Sequence, residues 1–275
     1  MAAGQPFDRR FRRAVRRRPS ARTPAGGPTA AAARYPYDHP MGLRTLILAA
    51  GVGAGHNQAA SAIEQALAEL PDVDRAQRID ILETTNEAFQ KLYDDGYFAL
   101  VAEAPWVVGW GYDTQDSPFK RAPLVQWWDQ LNTTGVVRRI RDYDPDLVIC
   151  THFLPARLVA LMLARRQLRA SLSVVTTDYD FQGLWLTTPF NHFFVARDEA
   201  AEHMASLGVP RDRILVSGIP VQPGLADQVD TAAIGERFGL DPDLPIVLIS
   251  AGASGGSYTL NIVRQVRRRD RKSVV

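Results

Sequence analysis

A single cysteine, Cys150, stands in a chain of 275 residues. One thiol closes no intrachain disulfide and builds no thiolate metal cluster, so the sequence reads as that of a protein from a reducing compartment, with a cytoplasmic location expected. No run approaches the ~20 apolar residues of a membrane-spanning helix, and no secretory leader opens the chain, so any membrane contact is expected to be peripheral. Histidine and carboxylate clusters at metal-ligand spacing are also lacking. No metal site is expected.

Charge is balanced overall and uneven along the chain. The net charge is +2, yet residues 1–40 hold nine arginines against Asp8 and Asp38, and residues 264–275 hold six basic side chains against Asp270. Residues 41–263 carry 17 basic and 27 acidic side chains, so the body is acidic between basic ends. Basic ends suit an anionic membrane surface or nucleic acid. The first 40 residues, however, are Arg, Ala, Pro and Gly without apolar periodicity, which predicts a disordered leader. Its near lack of serine and its prolines are unlike an organelle transit peptide, and Met41, directly before the first strand, offers an alternative start of translation. With 46% apolar and 23% charged residues, the remainder can bury a large core in one domain or two.

The densest information lies in Leu46-Ile47-Leu48-Ala49-Ala50-Gly51-Val52-Gly53-Ala54-Gly55-His56-Asn57, an apolar strand running through a glycine turn to a helix start. Glycine permits the sharp turn and the close approach of a ligand. Ala59, Ile63, Ala66, Leu67 and Leu70 then follow at helical spacing, predicting a helix over 57–70. His56 sits at the positive end of that helix, which disfavours imidazolium and keeps a ring able to accept a proton. A dinucleotide fingerprint wants glycine or alanine where His56 stands, and its acidic partner on the ribose would be Asp72, Asp74 or Asp80. A P-loop wants glycine-lysine followed by serine or threonine, and none follows.

Short apolar runs recur with helical stretches between them, the pattern of an α/β fold with a Rossmann-like parallel sheet. Strands are expected at 45–50, 78–82, 147–151, 172–177, 192–196 and 213–217, with helices over 153–168 and 198–207. Residues 221–244 read as a linker. Residues 245–250 then form an expected seventh strand leading into Ala251-Gly252-Ala253-Ser254-Gly255-Gly256 and a helix from Ser257, the opening unit of a second Rossmann domain that is truncated. The run Arg267-Arg268-Arg269-Asp270-Arg271-Lys272 has no apolar face and does not read as a continuing helix. Residues 89–128 hold ten of the 24 aromatic residues, including Trp106, Trp110, Trp127 and Trp128, a density that suits either core packing or a membrane-facing surface.

The ordered pieces Gly51-Val52-Gly53-Ala54-Gly55-His56, the Tyr93–Tyr112 aromatic segment around Ala104-Pro105-Trp106, Ile149-Cys150-Thr151-His152, Val174-Val175-Thr176-Thr177-Asp178, Trp185, Val195-Ala196 and Ser217-Gly218-Ile219-Pro220-Val221 together carry a resemblance. The chain resembles the N-terminal domain of the monogalactosyldiacylglycerol synthase and processive diacylglycerol glucosyltransferase family. That resemblance implies the N-terminal half of a GT-B glycosyltransferase, two Rossmann domains facing across a cleft, with residues 41–220 as the acceptor domain and 245–275 as the start of the donor domain. It further implies inverting transfer from a UDP-sugar, as donor substrate, to a diacylglycerol-type lipid at a peripheral anionic membrane surface, with no bound cofactor and no nucleic-acid partner.

Direct displacement at an anomeric carbon needs a base for the acceptor hydroxyl and positive dipoles for the leaving diphosphate. His56 suits the base, with Asp178 to orient it or to touch the acceptor. Backbone N–H groups around Gly252, Ser254, Gly255 and Gly256 suit the diphosphate. Gly53, Gly55, Asn57, Trp106 and Trp185 are acceptor-binding candidates. Asn57 reads equally as a helix cap, Trp185 as core and His152 as a hydrogen-bonded structural histidine. Gln222 stands where the resemblance leads one to expect arginine near the donor phosphates. Free Mg²⁺ is left open. Because much of a donor domain is missing, the isolated chain is expected to be inactive. The alternative is a non-catalytic module that binds lipid or a membrane surface.

Overall fold

The computed structural model describes residues 42–51, 54–84, 134–225, 230–241, 243–250 and 259–269. The leader, the aromatic segment at 89–128 with Trp106, Gly53 and the second glycine turn at 251–256 lie outside the described residues. The chain divides into two compact units between Pro223 and Gly224.

The first unit is a six-stranded, wholly parallel sheet: β1 Leu43–Ala49, β2 Val73–Asp80, β3 Leu147–Cys150, β4 Ser171–Val175, β5 His192–Val195 and β6 Ile214–Val216, ordered β2-β1-β3-β4-β5-β6. Its helices among the described residues are α1 Ala54–Ala68, α2 Thr134–Tyr143, α3 Phe153–Ala164 and α4 Asp198–Ser206. A parallel sheet must be covered on both faces, and β1 reports this directly. Leu46 and Leu48 join one apolar cluster with residues of α2, α3 and α4, whereas Ile47 and Ala49 join another with Ala60, Ile63 and Leu67 of α1. Period-two side chains thus feed two cores from one continuous apolar run.

Two tethers pin the amino end of β1. The Arg44 guanidinium donates to both carboxylate oxygens of Asp146, at 3.1 and 3.2 Å, and to Asp144 at 2.9 Å. The Tyr143 hydroxyl donates to the Thr45 carbonyl at 2.9 Å, its ring lying under the Arg75 guanidinium. Helix α2, which carries Tyr143, has no counterpart among the expected elements.

Strand β2 begins five residues before the expected 78. It lies at the sheet edge, where Asp74, Arg75, Gln77 and Arg78 keep contact with solvent, so an apolar criterion finds only its buried end. The other five strands and helices α1, α3 and α4 fall within three residues of expectation at their starts and within four at their ends.

The second unit departs further. Residues 231–238, inside the expected linker, form helix α5 Thr231–Phe238. Asp230 caps it by accepting from Ala232 and Ala233 N–H groups, and Gly239 closes it at a positive φ of 62°. Residues 245–250 form no strand, and Ile246, Val247 and Leu248 stand exposed. A strand satisfies its backbone only through a neighbour, and no strand occurs among the described residues of this unit. Helix α6 Thr259–Arg269 runs through the arginines expected to end it, because a helix bonds within itself and arginine is a good helix former.

Candidate functional site

In the strand order β2-β1-β3-β4-β5-β6 the direction of winding reverses between β1 and β3. The crevice outside the carboxyl ends of strands at such a reversal is where α/β sheets bind ligands. The turns after β1, β3 and β4 deliver His56, Thr151 with His152, and Thr177 with Asp178 to that place.

His56 is the third residue of α1, half-buried in its first turn. Its Nδ1 lies 2.9 Å from the Thr151 carbonyl and 2.8 Å from the Thr177 hydroxyl. A carbonyl only accepts, so in the neutral ring Nδ1 carries the hydrogen and Nε2 carries the lone pair. Thr151, fully buried, also donates from its hydroxyl to the His56 carbonyl at 3.0 Å. Burial lowers the His56 pKa below the ordinary 6.5, opposed by the Thr151 hydrogen bond and the Asp178 charge. The ring is therefore neutral near pH 7, and burial rather than the helix end is the cause.

Behind it stands an aromatic wall. His152 meets the His56 ring edge-on at 4.5 Å between centroids, stacks on Phe153 at 4.3 Å, and both imidazoles lie 6.3 Å from Trp185. His152 is almost fully buried and caps α3, its Nδ1 accepting from Leu154 N–H at 3.1 Å. Burial first, then the neighbouring His56, pushes its pKa well below 6.5. It is a structural histidine, with the tautomer opposite to that of His56.

The glycine turn has its own anchor. Asp80, at the carboxyl end of β2, accepts from Gly51 N–H at 3.1 Å, Leu82 N–H at 3.0 Å and Asn57 Nδ2 at 2.8 Å. A Cβ on Gly51 would come within 2.5 Å of Asp80 Oδ2, which leaves glycine as the residue that fits. The dinucleotide reading needs an acid at this strand end free to take a ribose, and Asp80 is instead spent on the turn. Asp72 and Asp74 sit at the opposite end of the strand.

The remaining candidates separate. Asp178 accepts from the Trp185 indole at 2.9 Å and acts on His56 through its charge, so the expected orienting hydrogen bond is made by the Thr151 carbonyl instead. Trp185 is 1% exposed and belongs to the wall. Asn57 lies inside α1, so it binds Asp80 rather than capping the helix, and its Oδ1 is buried without a partner among the described residues. Gly55 is exposed at the helix start with open space where a Cβ would stand. Gly53, Trp106, Gly252, Ser254, Gly255 and Gly256 lie outside the described residues. Gln222 is held by Gln65 at 2.8 Å and Gln58 at 3.2 Å, against α1. Thr177 is not among the expected site residues, and Asp80 is among them only as a ribose ligand under the dinucleotide reading; the available signal is their position at carboxyl ends of strands. Among the described residues no group of three or more His, Cys, Asp or Glu is placed to hold a metal ion, and no helix is long and apolar enough to cross a membrane.

The profile of the monogalactosyldiacylglycerol (MGDG) synthase family matches residues 56–221, beginning at His56. The processive diacylglycerol beta-glucosyltransferase of Staphylococcus saprophyticus is 33% identical over 113 residues, covering 41% of this chain and 28% of that protein. The enzyme of the same name from Bacillus mycoides is 26% identical over 221 residues, covering 77% of this chain and 54% of that protein. The chain thus spans about half or less of the length of the curated relatives it matches. The solved lipopolysaccharide outer core galactosyltransferase WaaB is a distant likeness, with a TM-score of 0.37 at 10% identity over 62% of this chain and 44% of that one. With the profile covering more than half of its residues, the chain belongs to the monogalactosyldiacylglycerol synthase family of glycolipid-synthesising glycosyltransferases.

Proposed function

We propose that this chain carries the acceptor-binding half of a glycosyltransferase that moves a hexose from a UDP-sugar to diacylglycerol with inversion, and that it is inactive without a complete donor-binding half. The observation that carries this reading is His56, a neutral imidazole whose Nδ1 is committed to Thr151 and Thr177 and whose Nε2 lone pair meets no hydrogen-bond partner among the described residues. In the step, Nε2 takes the proton of the acceptor hydroxyl as its oxygen bonds to the anomeric carbon. The bond from that carbon to the diphosphate breaks, and its electron pair leaves with UDP.

Asp80, bonded to Gly51 and to Asn57 beside the base, is proposed to hold His56 in place, so that little ordering remains for the reaction itself. The glycines at 252, 255 and 256 are proposed to lead N–H groups to the diphosphate, with free Mg²⁺ as a second neutralising charge. The basic ends and the tryptophan-rich segment support peripheral contact with an anionic membrane at the cytoplasmic face.

The test joins residues 1–223 to the remaining length of the Bacillus mycoides relative and follows labelled hexose from UDP-hexose into diacylglycerol vesicles. Transfer is expected from the chimera and not from the chain alone. His56→Ala in the chimera is expected to lower the rate about 10²- to 10⁴-fold, the worth of a positioned general base. An unchanged rate would remove His56 from the chemistry.

A further inference from the structure

We propose that Thr177 is a positioning residue for His56, holding the orientation of a ring whose tautomer the Thr151 carbonyl sets and steadying that ring once it is protonated. The proposal rests on His56 as the base and adds a residue to that site.

Two consecutive threonines leave β4, and they do different things. The Thr176 hydroxyl is fully buried and donates to the Phe194 carbonyl at 3.3 Å, closing a backbone group of the neighbouring strand. Thr177 is half-buried, and its hydroxyl lies 2.8 Å from His56 Nδ1, 121 residues away in sequence. That hydroxyl is able to donate or accept. The Thr151 carbonyl on the same nitrogen removes the choice, because it requires a hydrogen on Nδ1, so Thr177 accepts.

The single Nδ1–H is therefore shared between acceptors from two strand ends, β3 and β4. Rotation of the ring about its bond to Cβ breaks both contacts at once. When Nε2 gains a proton the Nδ1–H becomes a charged donor, and hydrogen bonds to a charged donor are shorter and stronger than those to a neutral one. Both acceptors then favour the protonated ring, the state the proposed step creates. A threonine that merely packed against the imidazole would do neither. Among the described residues, the other titratable groups facing the ring are His152 from the turn after β3 and Asp178 from the turn after β4, and substitution at 177 retains both.

The experiment is long-range ¹H–¹⁵N correlation spectroscopy of the imidazoles in the full ¹⁵N-labelled chain across pH, with His56 signals assigned by their loss in His56→Gln. The wild-type neutral ring is expected to show a protonated Nδ1 and an unprotonated Nε2. Thr177→Val, which keeps the shape and removes the hydroxyl, is expected to shift the His56 titration to lower pH, while the Thr151 carbonyl keeps the hydrogen of the neutral ring on Nδ1. Thr177→Ser is expected to restore the wild-type pattern, and Thr176→Val to leave it unchanged.

If Thr177→Val fails to fold, Thr177→Ala takes its place, read against Thr177→Ser. A wild-type titration in the Val or Ala variant would overturn the proposal. So would an equal shift in Thr176→Val. His56→Ala in the transfer assay judges the base separately, since these spectra read the ring whether or not it acts in the reaction.

Discussion

Residues 43–68 and 245–269 share one pattern, an apolar run leading through glycines into a helix, and they meet different ends. In the first, β1 lies between β2 and β3 with Leu46 to Ala49 fully buried. In the second, Ile246, Val247 and Leu248 are exposed, Leu248 at 90%, while the helix beyond the glycines forms all the same. The pattern encodes a preference for being covered, and the neighbours do the covering. A helix closes its own hydrogen bonds; a strand borrows them. The site follows the same division, because His56 is held by β3 and β4 as much as by its own turn.

The largest expected effect sharpens this contrast. Ile47→Asp places an unpaired carboxylate between β1 and α1 and is expected to unfold the first unit, a cost above about 4 kcal/mol. Leu248→Asp is expected to change stability by less than ~0.5 kcal/mol. Urea unfolding followed by circular dichroism compares the two. Equal effects would mean that residues 245–250 are covered in solution.

Next comes the turn itself. Gly51→Ala pushes a methyl against Asp80 Oδ2 and is expected to cost about 1–3 kcal/mol. Gly55→Ala, in open space at the start of α1, is expected to be neutral or to stabilise by up to ~1 kcal/mol. Denaturant midpoints of the two variants measure the difference. Similar losses at both positions would break the distinction between an anchored residue and a free one.

A smaller effect is set by pH. Burial lowers the pKa of His56, His152 and His192 in the folded chain below the 6.5 of the unfolded one. The unfolded state then binds more protons as pH falls through about 6.5, so stability falls with it. It is fully present above that pH and is lost as pH drops toward the folded values. Thermal midpoints between pH 7.5 and 5 are expected to decline, and less steeply in His152→Asn, whose amide oxygen keeps a cap for α3. A flat profile would show these rings to be solvated.

What the residues disclose without coordinates is what depends on local pattern. The apolar run of β1 and the spacing of Ala59, Ile63 and Leu67 announce a buried strand and the helix that covers it. His56 is legible because a glycine turn and a helix start flank it. Strand β2 is half-legible, since an edge strand carries charge. Helix α5 is hidden by Asp and Pro around it, although Asp230 and Gly239 are ordinary caps. The Asp80 anchor and the Thr177 contact are long-range pairings, 29 and 121 residues apart. No periodicity records those. Asp178 looks like the partner of His56 from its place after β4, yet the nearer Trp185 indole takes its carboxylate.

Whether this chain carries the half of a glycolipid glycosyltransferase that receives the lipid is decided by flotation of the full chain with anionic vesicles with and without diacylglycerol, at equal surface charge and ionic strength. More protein is expected to float with the vesicles that contain diacylglycerol, with the same gain for His56→Ala, which loses a base and keeps the proposed binding surface. Equal flotation on both vesicles would reduce the attraction to surface charge and contradict a diacylglycerol-binding role.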